Sequence, residues 1–103
     1  MEELMEQVAQ AMEQHGFEVK FADSAAQAKA MVLDMIPQNA QVGVGGSMTI
    51  RELDVIPALE ARGTRVWWHW LDAADRGTVY EQARKADVYL ASANAVTRDG
   101  RLV

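Results

Sequence analysis

Apolar residues near the start of the chain recur every three or four positions, which is the spacing of one face of an α-helix. The helix is predicted to end at Gly16, because glycine adopts the left-handed conformation that closes many helices. Residues 17–21 then alternate apolar and polar side chains, which predicts an edge strand with one wet face. The apolar positions of the helix are Met1, Leu4, Met5, Val8 and Met12.

A second helix and a central strand follow. Ser24 with Gln27 three residues later forms a capping-box sequence, and the apolar period after it predicts a helix that stops before Pro37. Residues 41–45 are short, apolar and glycine-bearing, which is typical of a central strand covered on both faces. We therefore expect alternating helices and strands.

The segment after the central strand predicts a helix in two pieces. Ser47 can cap it, Pro57 removes a backbone donor and predicts a break, and Gly63 is expected to end the second piece. Residues 64–70 are β-rich and predict a further strand, in which at least one of the three tryptophan rings is expected to lie in the core.

The last third of the chain repeats the helix–strand order and ends in a turn. Thr78 with Glu81 forms another capping box, for a helix to about Lys85, and residues 87–92 predict a strand. Asp99-Gly100 between short apolar pairs predicts a tight hairpin. Strands that alternate with helices predict an α/β fold with a mostly parallel sheet joined by right-handed crossovers.

Composition narrows the class of protein. The chain of 103 residues is 50% hydrophobic and 24% charged, which suits one packed domain over residues 1–103. A net charge of −5 disfavours nucleic acid as a partner, and the lack of cysteine excludes disulfides and thiol chemistry. The acidic N-terminus and the lack of an apolar run of about 20 residues predict a cytoplasmic protein with no membrane partner.

The candidate chemistry begins in residues 45–49, here called the glycine loop. Gly45 and Gly46 let the backbone approach a ligand, and the start of the following helix offers unpaired N–H groups, so a carboxylate or phosphate is favoured there. Ser47 and Thr49 add hydroxyl donors. The alternative is that the glycines only permit a tight turn and Ser47 is an ordinary cap. The spacing fits neither the ATP-binding loop nor the dinucleotide fingerprint.

Three further residues are candidates at the same edge of the predicted sheet. Asn94 follows the last parallel strand and could donate to a ligand oxygen, although asparagine is also a common turn residue. His69 ends a predicted strand, and Glu52 lies one turn into the helix after the glycine loop. These two are weak catalytic candidates, because a lone histidine and an exposed glutamate usually have no such role. No spacing indicates a metal site, and no cofactor is evident.

Two segments resemble a known family. Residues 42–52 and 86–103 resemble the LUD domain of lactate-utilisation proteins, and the likeness runs over essentially the whole chain. The resemblance implies a three-layer α/β/α fold similar to the sugar-phosphate isomerase and CoA-transferase superfamily. In that superfamily a glycine-rich strand-to-helix turn holds a phosphate or carboxylate. It also implies a role in bacterial lactate oxidation or in an uncharacterised relative.

The likeness extends distantly to ribose-5-phosphate isomerases, whose glycine-Ser-Thr loop matches the glycine loop. Their acidic catalytic segment falls on residues 91–95, where this chain has Ala91, Asn94 and Ala95 at the acidic positions. Since no carboxylate remains there to move a proton, we expect no isomerase activity.

Members of the family normally continue beyond the Asp-Gly hairpin into further strands and helices, so residues 1–103 are interpreted as a partial domain: a natural short form, a fragment or an engineered form. Two functions stay open. The first is a LUD-type domain that binds a small anion in organic-acid metabolism. The second is a non-catalytic assembly module with a vestigial crevice. An unpaired sheet edge would favour a homo-oligomer or a partner subunit.

Overall fold

The computed structural model describes residues 2–68 and 76–103. Close contacts divide the chain into two compact units, one formed by Met1–Phe21 with Ala93–Val103 and the other by Ala22–Ser92. Residues 69–75, which include the predicted candidate His69, lie outside the described residues. That one domain spans residues 1–103 stays a prediction.

The described residues form five helices and three strands. The helices are α1 (Glu2–Gln14), α2 (Ala25–Met35), α3 (Met48–Glu52), α4 (Val55–Ala61) and α5 (Arg76–Lys85). The strands are β1 (Val42–Val44), β2 (Val66–Trp67) and β3 (Val88–Leu90). Their order along the chain is α1, α2, β1, α3, α4, β2, α5 and β3.

In the first unit, α1 presents its predicted apolar stripe to a groove that Val19, Phe21 and Val96 also line. The helix ends as expected at Gly16, whose φ is +92°, and the N–H of Phe17 donates back to the Met12 carbonyl at 3.1 Å. This pattern satisfies a carbonyl of the last helical turn.

The edge strand predicted over residues 17–21 is wrong. These residues form no strand, because none of the described residues pairs with them in a β-ladder. Alternation of apolar and polar side chains reports which side faces a core, and Val19 and Phe21 do line the groove. It does not supply the hydrogen-bonded partner that a strand requires.

The predicted hairpin at Asp99-Gly100 is confirmed. Val96 pairs with Leu102 in an antiparallel bridge, and Gly100 has a φ of +83°. A Cβ at Gly100 would lie 2.6 Å from the Met12 nitrogen, so only glycine fits this contact. The His15 ring is hydrogen-bonded at 3.0 Å to the carbonyl of Asp99.

In the second unit, the strands form an all-parallel sheet in the order β2-β1-β3, which confirms the α/β class. Val42 lies opposite Val66 on one side and Val88 on the other, so β1 is central as predicted. The chain leaves β1 for one neighbour and later crosses to the other. In open parallel sheets, the carboxyl end of a strand at such a reversal is where ligands commonly bind.

The two faces of β1 are covered by different helices. Val42 and Val44 join the apolar core with residues of α3 and α4, such as Ile50 and Leu59. On the opposite face, a Cβ at Gly43 would lie 2.7 Å from the Cα of Ala83 in α5. Since successive side chains of a strand point to opposite faces, helices cover this sheet on both sides. The second unit therefore has the expected three layers.

Two predicted helix boundaries are wrong. The break between α3 and α4 falls at Asp54, whose φ is +60°, and Pro57 lies in the first turn of α4. Proline is tolerated there because the first N–H groups of a helix have no partner inside it. The end of the second piece at Gly63, with a φ of +90°, is confirmed. Thr78 lies inside α5 and does not cap it.

The tryptophan-rich segment behaves as expected in the part that is described. Trp68 is 4% exposed and packs in the core beside Val66. Trp67 pairs with Gly43 on the other face, where the guanidinium of Arg65 lies 3.9 Å from its ring centroid. One strand therefore delivers one large ring to each face of the sheet.

Candidate functional site

The glycine loop joins the carboxyl end of β1 to the first residue of α3, as the sequence predicts. Strand β3 runs parallel to β1, with Val44 opposite Leu90, so the residues after both strands meet at one edge of the sheet. The loop and residues 91–92 therefore converge, and hydrogen bonds join them.

Ser47 is the cap of α3 and is nearly buried. Its backbone is extended, and its Oγ accepts a hydrogen bond from the N–H of Ile50 at 3.1 Å. The same Oγ lies 2.8 Å from the Oγ of Ser92, so it takes part in two hydrogen bonds. With 4% of its surface exposed, Ser47 has little capacity for a third partner through its side chain.

Gly45 is held in place by three neighbours. Its N–H donates to the Leu90 carbonyl at 2.9 Å, and its own carbonyl accepts from the Trp68 indole at 3.1 Å. A Cβ here would lie 3.0 Å from the Tyr89 hydroxyl. The N–H of Gly45, expected to be open to a ligand, is therefore already engaged in the sheet.

The backbone N–H groups of Gly46 and Ser47 differ from that of Gly45. Among the described residues, none accepts a hydrogen bond from the backbone N–H of Gly46 or Ser47. Gly46 is exposed, and Thr49 is exposed one residue into α3. N–H groups at the start of a helix have no partner inside it, and such groups are the usual contacts of a bound anion.

A family model named LUD domain matches residues 5–103, which is almost the entire chain. The chain belongs to the LUD domain family. The glycine loop and the hairpin both lie inside the matched range, as the resemblance of residues 42–52 and 86–103 predicted. Comparison with curated proteins and with solved structures finds no match.

Two other candidates in this LUD domain lie apart from the loop's hydrogen bonds. Glu52 is exposed at the last position of α3, and no described residue pairs with its carboxylate. Asn94 is exposed in the first unit, where its backbone N–H donates to the Val103 carbonyl at 2.8 Å. A catalytic role for Glu52 and a ligand contact for Asn94 both stay predictions.

Three partners of the loop were not among the predicted site residues of the LUD domain. Ser92 hydrogen-bonds to Ser47, Trp68 holds the carbonyl of Gly45, and Tyr89 lies against Gly45. A signal existed only for Ser92, which directly follows the predicted last strand and so reaches the same sheet edge as Ser47. The roles of the two aromatic residues depend on strand register, which a single sequence does not reveal.

No helix within residues 2–68 and 76–103 combines the length and the apolar composition that a membrane span requires. In the same described ranges, no three His, Asp or Glu side chains come together in a way that could hold a metal ion.

Proposed function

We propose that this LUD domain binds a small carboxylate or phosphate at the glycine loop, through the backbone N–H groups of Gly46 and Ser47. The observation that carries the proposal is that these two donors have no acceptor among the described residues. They also lie at the carboxyl end of the central strand, where the order of the sheet reverses.

The surrounding contacts support a preformed site. Gly45 is fixed by its bonds to Leu90 and Trp68, and Ser47 is fixed by its bonds to Ile50 and Ser92. The peptide bonds that carry these two N–H groups, Gly45–Gly46 and Gly46–Ser47, thus lie between two residues that hydrogen bonds hold in place. A ligand that meets fixed donors loses less affinity to ordering of the loop.

The donors suit an anion more than a neutral ligand. N–H groups at the start of a helix carry partial positive charge, and hydrogen bonds to a charged acceptor are roughly twice as strong as neutral ones. The family's link to lactate utilisation points to a small hydroxy acid as the ligand. Ser92 and Thr49 are the nearby hydroxyls that could contact such a ligand at its second oxygen.

The test is a titration of the protein with lactate and, separately, with inorganic phosphate, followed through broadening of the ligand's own NMR signals. Native protein should bind saturably with a Kd of about 1 mM, an affinity worth roughly 4 kcal/mol. Gly46→Val should abolish binding while helical content is unchanged, because the added side chain covers the two N–H groups.

Asn39→Val is the matched control, since it places the same side chain in another exposed turn. It should bind as the native protein does. Equal binding by Gly46→Val and native protein would contradict the proposal, and so would broadening that rises without saturation in both.

A further inference from the structure

A cleft lies between α5 and Tyr89 of β3. It has a volume of about 410 Å³ and is lined by Gly77, Tyr80, Glu81, Ala83, Arg84 and Tyr89. We call it the tyrosine cleft. Its volume falls within the roughly 300–1,000 Å³ of small-molecule sites.

Two aromatic rings form the apolar part of the tyrosine cleft. Tyr80 is 52% exposed and Tyr89 is 55% exposed, although Ala83 between them is buried against the sheet. Large aromatic side chains that stay accessible around one concave surface are typical of ligand contacts, because they offer flat apolar area with few rotatable bonds.

The lining of the cleft carries one acidic side chain, Glu81, and one basic side chain, Arg84. Glu81 is paired with Lys85 on the next turn of α5 at 3.1 Å, so its charge is already balanced. None of the described residues forms an ion pair or hydrogen bond with the guanidinium of Arg84. An unpaired arginine beside two rings fits a planar carboxylate, which it can bind with two parallel hydrogen bonds.

Tyr89 adds a polar group to the lining of the cleft. Its hydroxyl approaches Gly45 and has no hydrogen-bond partner among the described residues. In α5, Arg84 lies about two turns beyond Gly77, which is roughly 10 Å along the helix axis. The cleft can therefore contact the ring of a ligand along its length and a charged group at the Arg84 end.

We propose that the tyrosine cleft is a binding site for an aromatic carboxylate, with the ring against Tyr80 and Tyr89 and the carboxylate on Arg84. The site goes beyond the function proposed for the glycine loop and uses none of its donors. Either site can therefore exist without the other.

The test compares three ligands on the native protein by two-dimensional NMR. Benzoate carries both the ring and the charge, cyclohexanecarboxylate carries the charge without a flat ring, and benzamide carries the ring without the charge. Benzoate should shift the amide signals of Tyr80, Arg84 and Tyr89 saturably, with affinity about tenfold above that of either analogue.

Arg84→Gln should remove that advantage, so that benzoate binds no better than benzamide. Arg98→Gln, which removes an exposed arginine in the other unit, should leave it unchanged. Shifts at Gly46 and Ser47 are read in the same spectra and report on the glycine loop separately.

Equal shifts from all three ligands would overturn the proposal, as would an Arg84→Gln variant that keeps the preference for benzoate. Benzoate shifts confined to the glycine loop would also overturn it, while they would leave the function proposed for that loop intact.

Discussion

Two helices in the second unit are capped by serine in nearly the same way, but their starts differ in which backbone N–H groups stay open to a ligand. Ser24 caps α2 and Ser47 caps α3, and each Oγ accepts a backbone N–H three residues later at 3.1 Å. At α2 the third helical residue is Gln27, whose side chain accepts the N–H of Asp23. At α3 that position is Ile50, an apolar side chain that cannot reach back.

The difference shows what a capping box does to a binding site. At α2, the box satisfies both its own helix and the residue before the cap, so fewer donors remain for a ligand. At α3, the N–H groups of Gly46 and Ser47 have no acceptor among the described residues. Ile50 is buried in the core, so packing determines this residue type and the open donors follow as a consequence.

The largest predicted effect disturbs the packing of β1, the strand that leads into the glycine loop and α3. Gly43→Ala should destabilise the protein by about 3 kcal/mol, because the new methyl would meet the backbone of Ala83, which cannot move without shifting α5. Gly45→Ala is the control and should cost less than about 1 kcal/mol, because its methyl would meet only the exposed side chain of Tyr89. Urea unfolding measures both, and equal losses would contradict the packing account.

The next effect compares the two caps directly. Ser47→Ala should lower the free energy of unfolding by about 2 kcal/mol, since it leaves the N–H of buried Ile50 without an acceptor and removes the bond to Ser92. Ser24→Ala should cost about 1 kcal/mol or less, because water can replace the exposed cap. If Ser24→Ala proved the more damaging variant in urea unfolding, the distinction between the caps would fail.

A smaller effect isolates the capping box. Gln27→Ala should cost about 0.5 kcal/mol, because the lost hydrogen bond to Asp23 is exposed and water competes for it. The amide proton of Asp23 should then exchange with solvent faster, while that of Gln27, still bonded to Ser24, should not. Unchanged exchange at Asp23 would show that the box does not protect that donor.

The smallest predicted effect is a pH dependence of the Asp99-Gly100 hairpin, which neither serine cap should share. In the hairpin, a hydrogen bond from the Thr97 hydroxyl lowers the pKa of the Asp99 carboxyl below 3.8, and Arg101 adds to the shift. Since the folded pKa is depressed, this stabilisation is present above about pH 3.8 and is lost as the pH falls through the lower folded value. As the pH falls below about 3.8, NMR signals of Thr97 and Arg101 should change in the native protein but not in the Asp99→Asn variant.

The sequence predicted the elements of the fold more successfully than their edges. Ser24, Gly16, Gly63 and the Asp99-Gly100 turn are local signals whose physics acts within a few residues, and each occurs where predicted. Residues 17–21 failed because a strand depends on a distant partner. Pro57 was misplaced because proline is disfavoured only inside a helix, and the position of the helix start depends on packing.

The candidate site was predicted in outline and not in detail. The glycine loop follows the central strand as expected. However, the use of the Gly45 N–H by Leu90 and of the Ser47 Oγ by Ser92 depends on which strand lies beside β1. The order β2-β1-β3 arises from crossovers that one sequence does not specify. His69 lies outside the described residues, and its role stays a prediction.

The most direct test of the central claim is a phosphate titration in which one spectrum reports both helix starts, at an ionic strength held constant with sodium chloride. We predict saturable shifts of the Gly46 and Ser47 amide signals, with no comparable change at Asp23 or Gly45, whose N–H groups already have acceptors. Equal shifts at the two helix starts, or no shift at Gly46 and Ser47 with phosphate in the millimolar range, would contradict the account.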